Sequence, residues 1–150
     1  MDHLVTRGLR CLTVLDVSGV ALSRARARLG DQAERVRWIE ADVTAEWAVP
    51  PVDVWHDRAV FHFLTEADDR TRYVAHLCAA VKPGGTVIMA TFALDGPERC
   101  SGLPVCRYDA AGIAAKLGAG FALVEAVAEA HRTPSGNTQA FNYSRFVREE

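Results

Sequence analysis

The sequence has no apolar run approaching the ~20 residues that a bilayer-spanning helix requires. Its start, Met1-Asp2-His3-Leu4, lacks the basic-then-apolar pattern of a secretory leader. A cytoplasmic protein without a membrane partner is expected. Positive charge is not in excess: the formal net charge is −2 over 150 residues, which removes the electrostatic basis for nucleic-acid binding. The one basic cluster, Arg24, Arg26 and Arg28, falls on a predicted helix and reads as a solvated face. Cys11, Cys78, Cys100 and Cys106 show no C-x-x-C spacing and no paired histidines nearby. Buried or incidental reduced thiols, and no metal, are therefore expected. No G-x-S-x-G turn is present to expose a hydrolase nucleophile. Nor is there a G-x-G-x-x-G to cradle a dinucleotide.

What is present is ordinary for a soluble globular chain: 49% hydrophobic and 24% charged residues. At this length a single domain is expected, burying about two-thirds of its unfolded surface. The chain is organised around Leu12-Thr13-Val14-Leu15-Asp16-Val17-Ser18-Gly19. This stretch reads as a short β-prone strand that stops on an acid, turns, and enters a helix. Strands buried on both faces belong to parallel α/β sheets, where ligands sit beyond the carboxyl ends. An aspartate there accepts two hydrogen bonds from a ribose diol, or it simply caps the following helix. On the residues alone both readings stand.

In chain order, residues 1–10 resemble the tail of a helix closing at Gly8. Ser18 caps a helix from about Gly19 to Leu29, with Leu22, Ala25 and Leu29 on its apolar face and Gly30 at its end. Residues 36–40 form the next strand, followed by Asp42 in a loop. Pro50-Pro51 precedes a strand at residues 52–55, which runs into His56-Asp57-Arg58. Residues 59–64 suggest a helical turn, and Thr65-x-x-Asp68 a capping box for a helix reaching about Val81. Lys82-Pro83-Gly84-Gly85 stops that helix before a buried strand at residues 86–92. The loop 93–108 is long enough to be functional or mobile. Asp109 caps a helix ending near Leu117-Gly118. Strands at residues 121–130 and 139–147 flank a Pro134-Ser135-Gly136-Asn137 turn as an antiparallel hairpin.

This order resembles the class I S-adenosylmethionine-dependent methyltransferases from that fold's second strand onward. The motifs that carry the resemblance are Val14-Leu15-Asp16-Val17-Ser18, Glu40-Ala41-Asp42-Val43, Asp53-Val54-Trp55-His56-Asp57-Arg58 and Val81-Lys82-Pro83-Gly84-Gly85. It implies a Rossmann-like three-layer α/β/α sandwich, mostly parallel, closed by the hairpin. The cofactor implied is S-adenosyl-L-methionine and the partner a small-molecule methyl acceptor. By the same resemblance Asp16 binds the ribose hydroxyls and Val17 packs on adenine, while Asp42 and the backbone of Val43 face the adenine edge. His56, Asp57 and Arg58 contact the methionine part and the acceptor. His62, with Phe61, lies beside the methyl donor, and His56, Asp57 and His62 are the candidate general bases. A packed core histidine and a local Asp57–Arg58 ion pair are the plainer alternatives, and Asp42 serves equally well as a turn former.

The chain departs from the family in one respect. The family's first strand and glycine-rich turn normally precede the ribose acid by about 20 residues, whereas only fifteen residues precede Asp16 and they hold no such turn. The expectation is that the real start lies upstream of Met1, or else that the chain is a diverged or truncated member. Without that first strand, the remaining strands pair directly or leave open sheet edges that favour homo-oligomers. A non-catalytic relic of the fold is the competing reading. A nicotinamide dehydrogenase is a weaker one, for it shares the acid but needs the glycine fingerprint.

Overall fold

Ser18 and Gly30 bracket the first long helix as their side chains dictate. The computed structural model describes residues 2–9, 11–133 and 136–150, and residues 2 and 3 by backbone alone. Met1, Arg10, Pro134 and Ser135, which fall within two of the predicted segments, lie outside the described residues. The chain divides into two compact units, Met1–Val49 and Pro50–Glu150.

In the first unit, α1 (Asp2–Thr6) ends in a turn in which Gly8 takes φ +84° and its N–H donates to the Val5 carbonyl at 3.0 Å. Strands β1 (Leu12–Asp16) and β2 (Val36–Glu40) run parallel, in register from Leu12↔Val36 to Asp16↔Glu40. Parallel strands need a crossover, which α2 (Gly19–Leu29) and a 3-10 segment (Gly30–Arg35) supply. The Ser18 hydroxyl accepts the Ala21 N–H at 3.2 Å, and Gly30 ends the helix at φ +55°. Leu22 is buried and Ala25 and Leu29 half-buried, the face that the periodicity predicts. The basic cluster Arg24, Arg26 and Arg28 is exposed, as expected of a solvated face. The Arg26 guanidinium lies 5.2 Å from the Trp38 ring centroid, within the reach of a cation–π contact.

The second unit is built on a four-stranded sheet of order β3-β4-β8-β7, comprising β3 (Val52–Arg58), β4 (Val81–Phe92), β7 (Phe121–Arg132) and β8 (Thr138–Arg148). β3 and β4 are parallel, and the β7–β8 hairpin adds to β4 antiparallel, as predicted. Helices α3 (Ala67–Ala80) and α4 (Ala110–Leu117) supply Tyr73, Leu77 and Ile113 to a core with Val87, Met89 and Phe146, all without solvent exposure. Asp109 caps α4, accepting the Gly112 N–H at 2.7 Å.

Three boundaries differ from the sequence expectation. His56, Asp57 and Arg58 belong to β3, paired with Ile88, Met89 and Ala90, and do not form a loop beyond it. The capping box does not form: α3 starts at Ala67 behind Glu66, with no side-chain cap. β4 begins at Val81, so Pro83-Gly84-Gly85 sit inside an irregular strand opening, where the register with β3 shifts between Val52 and Val54. The loop 93–108 carries a two-residue ladder of β5 (Arg99–Cys100) and β6 (Leu103–Pro104). It is tied down by Ala93 N–H to Ala140 C=O, Tyr108 N–H to Phe92 C=O and Cys106 N–H to His62 C=O, at 2.9, 3.0 and 2.8 Å. The four thiols are free, with Cys11 exposed and the others half-buried, so none is a fully buried core residue.

Gly84 and Gly85 serve different ends. A Cβ on Gly85 would stand 2.7 Å from Val81 Cγ1 and 2.8 Å from the Lys82 carbonyl oxygen, whereas Gly84 has open space but φ +75°. Gly85→Ala should cost about 1–3 kcal/mol through overpacking, and Gly84→Ala about 1–2 kcal/mol through left-handed strain alone. Urea midpoints report both, with reversal of the order as the failing result.

Candidate active site

β1 and β2 end level with each other, and the Ala41 N–H donates to the Asp16 carbonyl at 3.1 Å. Asp16 is half-buried. Its Oδ1 accepts the Ser18 N–H at 2.8 Å, while Oδ2 has no partner among the described residues. The carboxylate thus steadies the turn into α2 with one oxygen, the turn-forming reading, and leaves the other without a partner among the described residues. Val17 follows with 71% of its surface exposed, an apolar side chain with no core to join. Asp42 Oδ1 accepts both the N–H and the hydroxyl of Thr44 at 2.7 Å, the turn-forming use of an aspartate. The Val43 carbonyl accepts the Trp47 indole N–H at 3.1 Å, but the Val43 N–H makes no hydrogen bond among the described residues. Sequence reasoning passed over Glu40. Its carboxylate lies over Gly19, where a Cβ would stand 2.5 Å from Oε2. A negative charge at this first turn of α2 complements the helix dipole.

In the second unit strand alternation separates the predicted residues. Asp57 turns inward, 5% exposed, while His56 and Arg58 are exposed. Asp57 accepts three hydrogen bonds: Oδ1 from the Val60 N–H at 2.9 Å, and Oδ2 from the Phe61 N–H at 3.1 Å and the Tyr73 hydroxyl at 2.6 Å. Tyr73 in turn accepts the Trp55 indole N–H at 3.0 Å. Burial raises the Asp57 pKa although each of these bonds lowers it. Burial and the adjoining carboxylate push the Tyr73 hydroxyl well above its ordinary value. A carboxylate so buried and engaged holds the chain in place, which argues against the base expected at Asp57. It makes no ion pair with Arg58 either, whose guanidinium sits 5.9 Å from the Phe141 ring centroid.

His62 also departs from its expected role. It is fully buried on the 3-10 turn Phe61–Phe63, against the rings of Phe63 and Phe92 at 4.7 and 4.8 Å. Its Nδ1 accepts the Phe92 N–H at 3.3 Å, and Nε2 is buried without a partner among the described residues. Desolvation lowers its pKa to about 4. It is a neutral core histidine at pH 7. His56 remains with an unengaged imidazole, its pKa lowered by partial burial against the opposing pull of Asp57.

The sequence profile of the methyltransferase domain family matches residues 1–85, more than half of the 150. The chain belongs to the methyltransferase domain family. Solved structures agree on the fold. The N-methyltransferase NodS from Bradyrhizobium japonicum WM9 aligns at a TM-score of 0.71 with 19% identity, over 93% of this chain and 74% of that one. A SAM-dependent methyltransferase from Methanosarcina mazei gives 0.76 with 12% identity, over 98% and 85%. The 1,6-didemethyltoxoflavin-N1-methyltransferase of Burkholderia thailandensis, with bound 1,6-didemethyltoxoflavin and S-adenosylhomocysteine, gives 0.74 with 20% identity, over 99% and 65%. No curated protein sequence matches. The fold of this methyltransferase domain is thus the Rossmann-like α/β class, and the family's cofactor is S-adenosylmethionine. The residues of the first unit fit that group's nucleoside half, with a free carboxylate oxygen, an exposed apolar side chain and an unpaired backbone N–H close to one strand end.

The His62 burial has a measurable consequence. Its folded pKa of about 4 lies below the ordinary 6.5, so the stability it contributes is present above pH 6.5 and is lost as pH falls through about 4. The loss amounts to about 3 kcal/mol between pH 7 and pH 4. His62→Gln keeps an acceptor for the Phe92 N–H and should flatten that part of the stability profile, read as urea midpoints against pH. An unchanged slope would take His62 out of the core as a titrating group.

Proposed function

We propose that this chain binds S-adenosylmethionine and transfers its methyl group to a small-molecule acceptor in the cytoplasm, with neither nucleic acid nor membrane as partner. The observation that carries the reading is Asp16, whose carboxylate ends a parallel strand with one oxygen unengaged. When bound, the cofactor supplies a methyl already activated on a sulfonium. The protein's share is alignment and exclusion of water. Asp16 Oδ2 would accept from the ribose hydroxyls and Val17 would cover the adenine. The Val43 N–H would donate to a ring nitrogen, with Asp42 towards the amino group. His56, unengaged and favouring the neutral form, is the side chain we assign to proton removal from a hydroxyl or carbon acceptor. Arg58, fixed against Phe141 and outside any ion pair among the described residues, would orient the acceptor. The bound 1,6-didemethyltoxoflavin of the Burkholderia thailandensis enzyme supports a small molecule in that place.

The alternative is a module of the same fold that binds no cofactor. Calorimetric titration with S-adenosylhomocysteine decides between them. Binding by the wild-type chain, weakened by about 2–4 kcal/mol in Asp16→Ala through the loss of charge-assisted bonds, supports the enzyme. Absence of heat at millimolar ligand supports the module. Arg58→Ala should keep cofactor affinity within about twofold and lower turnover at least tenfold, since a residue that meets only the acceptor leaves cofactor binding alone. Equal loss of both would remove Arg58 from the acceptor site.

A further inference from the structure

β7 is the outermost strand of its sheet and pairs with β8 alone. Every residue from Leu123 to Ala130 is exposed, on both faces of the sheet. Such an edge presents alternate N–H and C=O groups without partners, a template for another strand. Most of the usual defences are absent. β7 contains no proline and no lysine. Its register with β8 is regular from Glu125↔Arg145 to Arg132↔Thr138, and the single irregularity lies earlier, between Leu123 and Glu125. Glu125, one of the two acids on the strand, is already held by Arg145 at 3.1 Å. Leu123, Val124 and Val127 are 43%, 50% and 52% exposed, so apolar surface accompanies the open backbone.

We propose that a second copy of this chain pairs along this edge, its β7 antiparallel to this β7 about a two-fold axis at Ala128. The two four-stranded sheets then become one continuous sheet. The axis is set by geometry and charge. Hydrogen-bonded and non-hydrogen-bonded pairs alternate along an antiparallel ladder, so a two-fold must place one residue opposite its own copy. Centring on Val127 sets Glu125 against Glu129, and centring on Glu129 sets that acid against itself. Like charges directly opposite destabilise a pair of strands. Centring on Ala126 brings the irregular Val124 into the ladder, and centring on Ala130 uses only the last residues of the strand. Ala128 leaves a ladder from Glu125 to His131 within the regular stretch. There Glu125 faces the partner's His131, Val127 faces the partner's Glu129, and Ala126 faces the partner's Ala130. Each acid therefore meets a histidine or an apolar side chain and never another acid.

Sedimentation velocity on the whole chain from about 5 to 200 µM tests this by mass action. The mass should rise from 16.4 kDa toward twice that value. Val127→Glu sets an acid against Glu129 twice per dimer and should weaken association at least ~tenfold. Val127→Lys makes two opposite-charge pairs and should tighten association at least ~threefold, the reverse of what lysine does to an edge in general. Ala128→Cys should form an intermolecular disulfide at that position under oxidised glutathione, its Cα atoms lying within bonding range of each other. Ala130→Cys and the wild-type chain should not. Far-UV circular dichroism confirms that each variant is folded. A monomer at every concentration, association indifferent to Val127→Glu, or equal cross-linking at residue 130 overturns the proposal. The cysteine pair keeps the test decisive should either Val127 variant misfold.

Discussion

A carboxylate with almost no solvent contact lies beneath the junction of β3 and the Phe61–Phe63 turn, and the second unit's site-bearing segment is built on it. Removing a charge from water costs several kcal/mol, and hydrogen bonds to a charged group return about 1.5–3 kcal/mol each. Asp57 has three: two backbone N–H groups and the Tyr73 hydroxyl. Burial raises its pKa against the pull of these bonds. What the arrangement secures is position. The chain leaves β3 through Ala59 at φ +66°, a conformation that costs a non-glycine residue about 1–2 kcal/mol. The bonds from Val60 and Phe61 to Asp57, and from the Ala59 N–H to the Ala90 carbonyl at 2.8 Å, hold that bend in place.

The same anchoring decides which faces the neighbouring residues take. Side chains alternate along a strand, so fixing Asp57 inward against Tyr73 fixes His56 and Arg58 outward. Phe141, the register partner of Phe92, then supplies the ring beside the Arg58 guanidinium. His62, carried on the turn that Asp57 holds, is committed to the core between Phe63 and Phe92. Of three side chains that look equally fit to take a proton, only His56 escapes the packing.

Much of this was legible in the sequence where the governing physics is local. Ser18 and Asp109 cap their helices by bonds to residues three positions on, and Gly8, Gly30 and Gly118 take the positive φ that helix ends ask for. The two closing strands pair as their turn predicts. Misreadings came where partners are distant in the chain. His56-Asp57-Arg58 has the polarity of a loop, and nothing local reveals that Tyr73, sixteen residues on, draws Asp57 into the core and lengthens the strand. Thr65-x-x-Asp68 matches a capping box, yet the Phe63 carbonyl takes the Thr65 N–H at 2.9 Å and the helix begins two residues later. Pro83-Gly84-Gly85 reads as a stop. Next to Val52 and Val54 it becomes a strand irregularity, since Gly84 takes a positive φ and Gly85 has no side chain to clash with the Lys82 and Asp53 carbonyls.

Asp16 and Asp57 show why residue type and strand position do not settle a role. Both stand at or near the carboxyl end of a parallel strand, and the resemblance gives both a functional part. They differ in donors and in water. Asp57 has three donors and 5% exposure, so its burial keeps it from a ligand. Asp16 has one donor, the Ser18 N–H, and half of its carboxylate remains unclaimed. The ribose contact proposed for Asp16 would use that second oxygen, and an apolar Val17 beside it would gain from being covered. Both features are satisfied at once by a ligand with a diol next to a flat apolar ring. That pairing of an unengaged carboxylate oxygen with an exposed apolar side chain, at neighbouring residues of one turn, is the physical basis of the proposal that a nucleoside binds there.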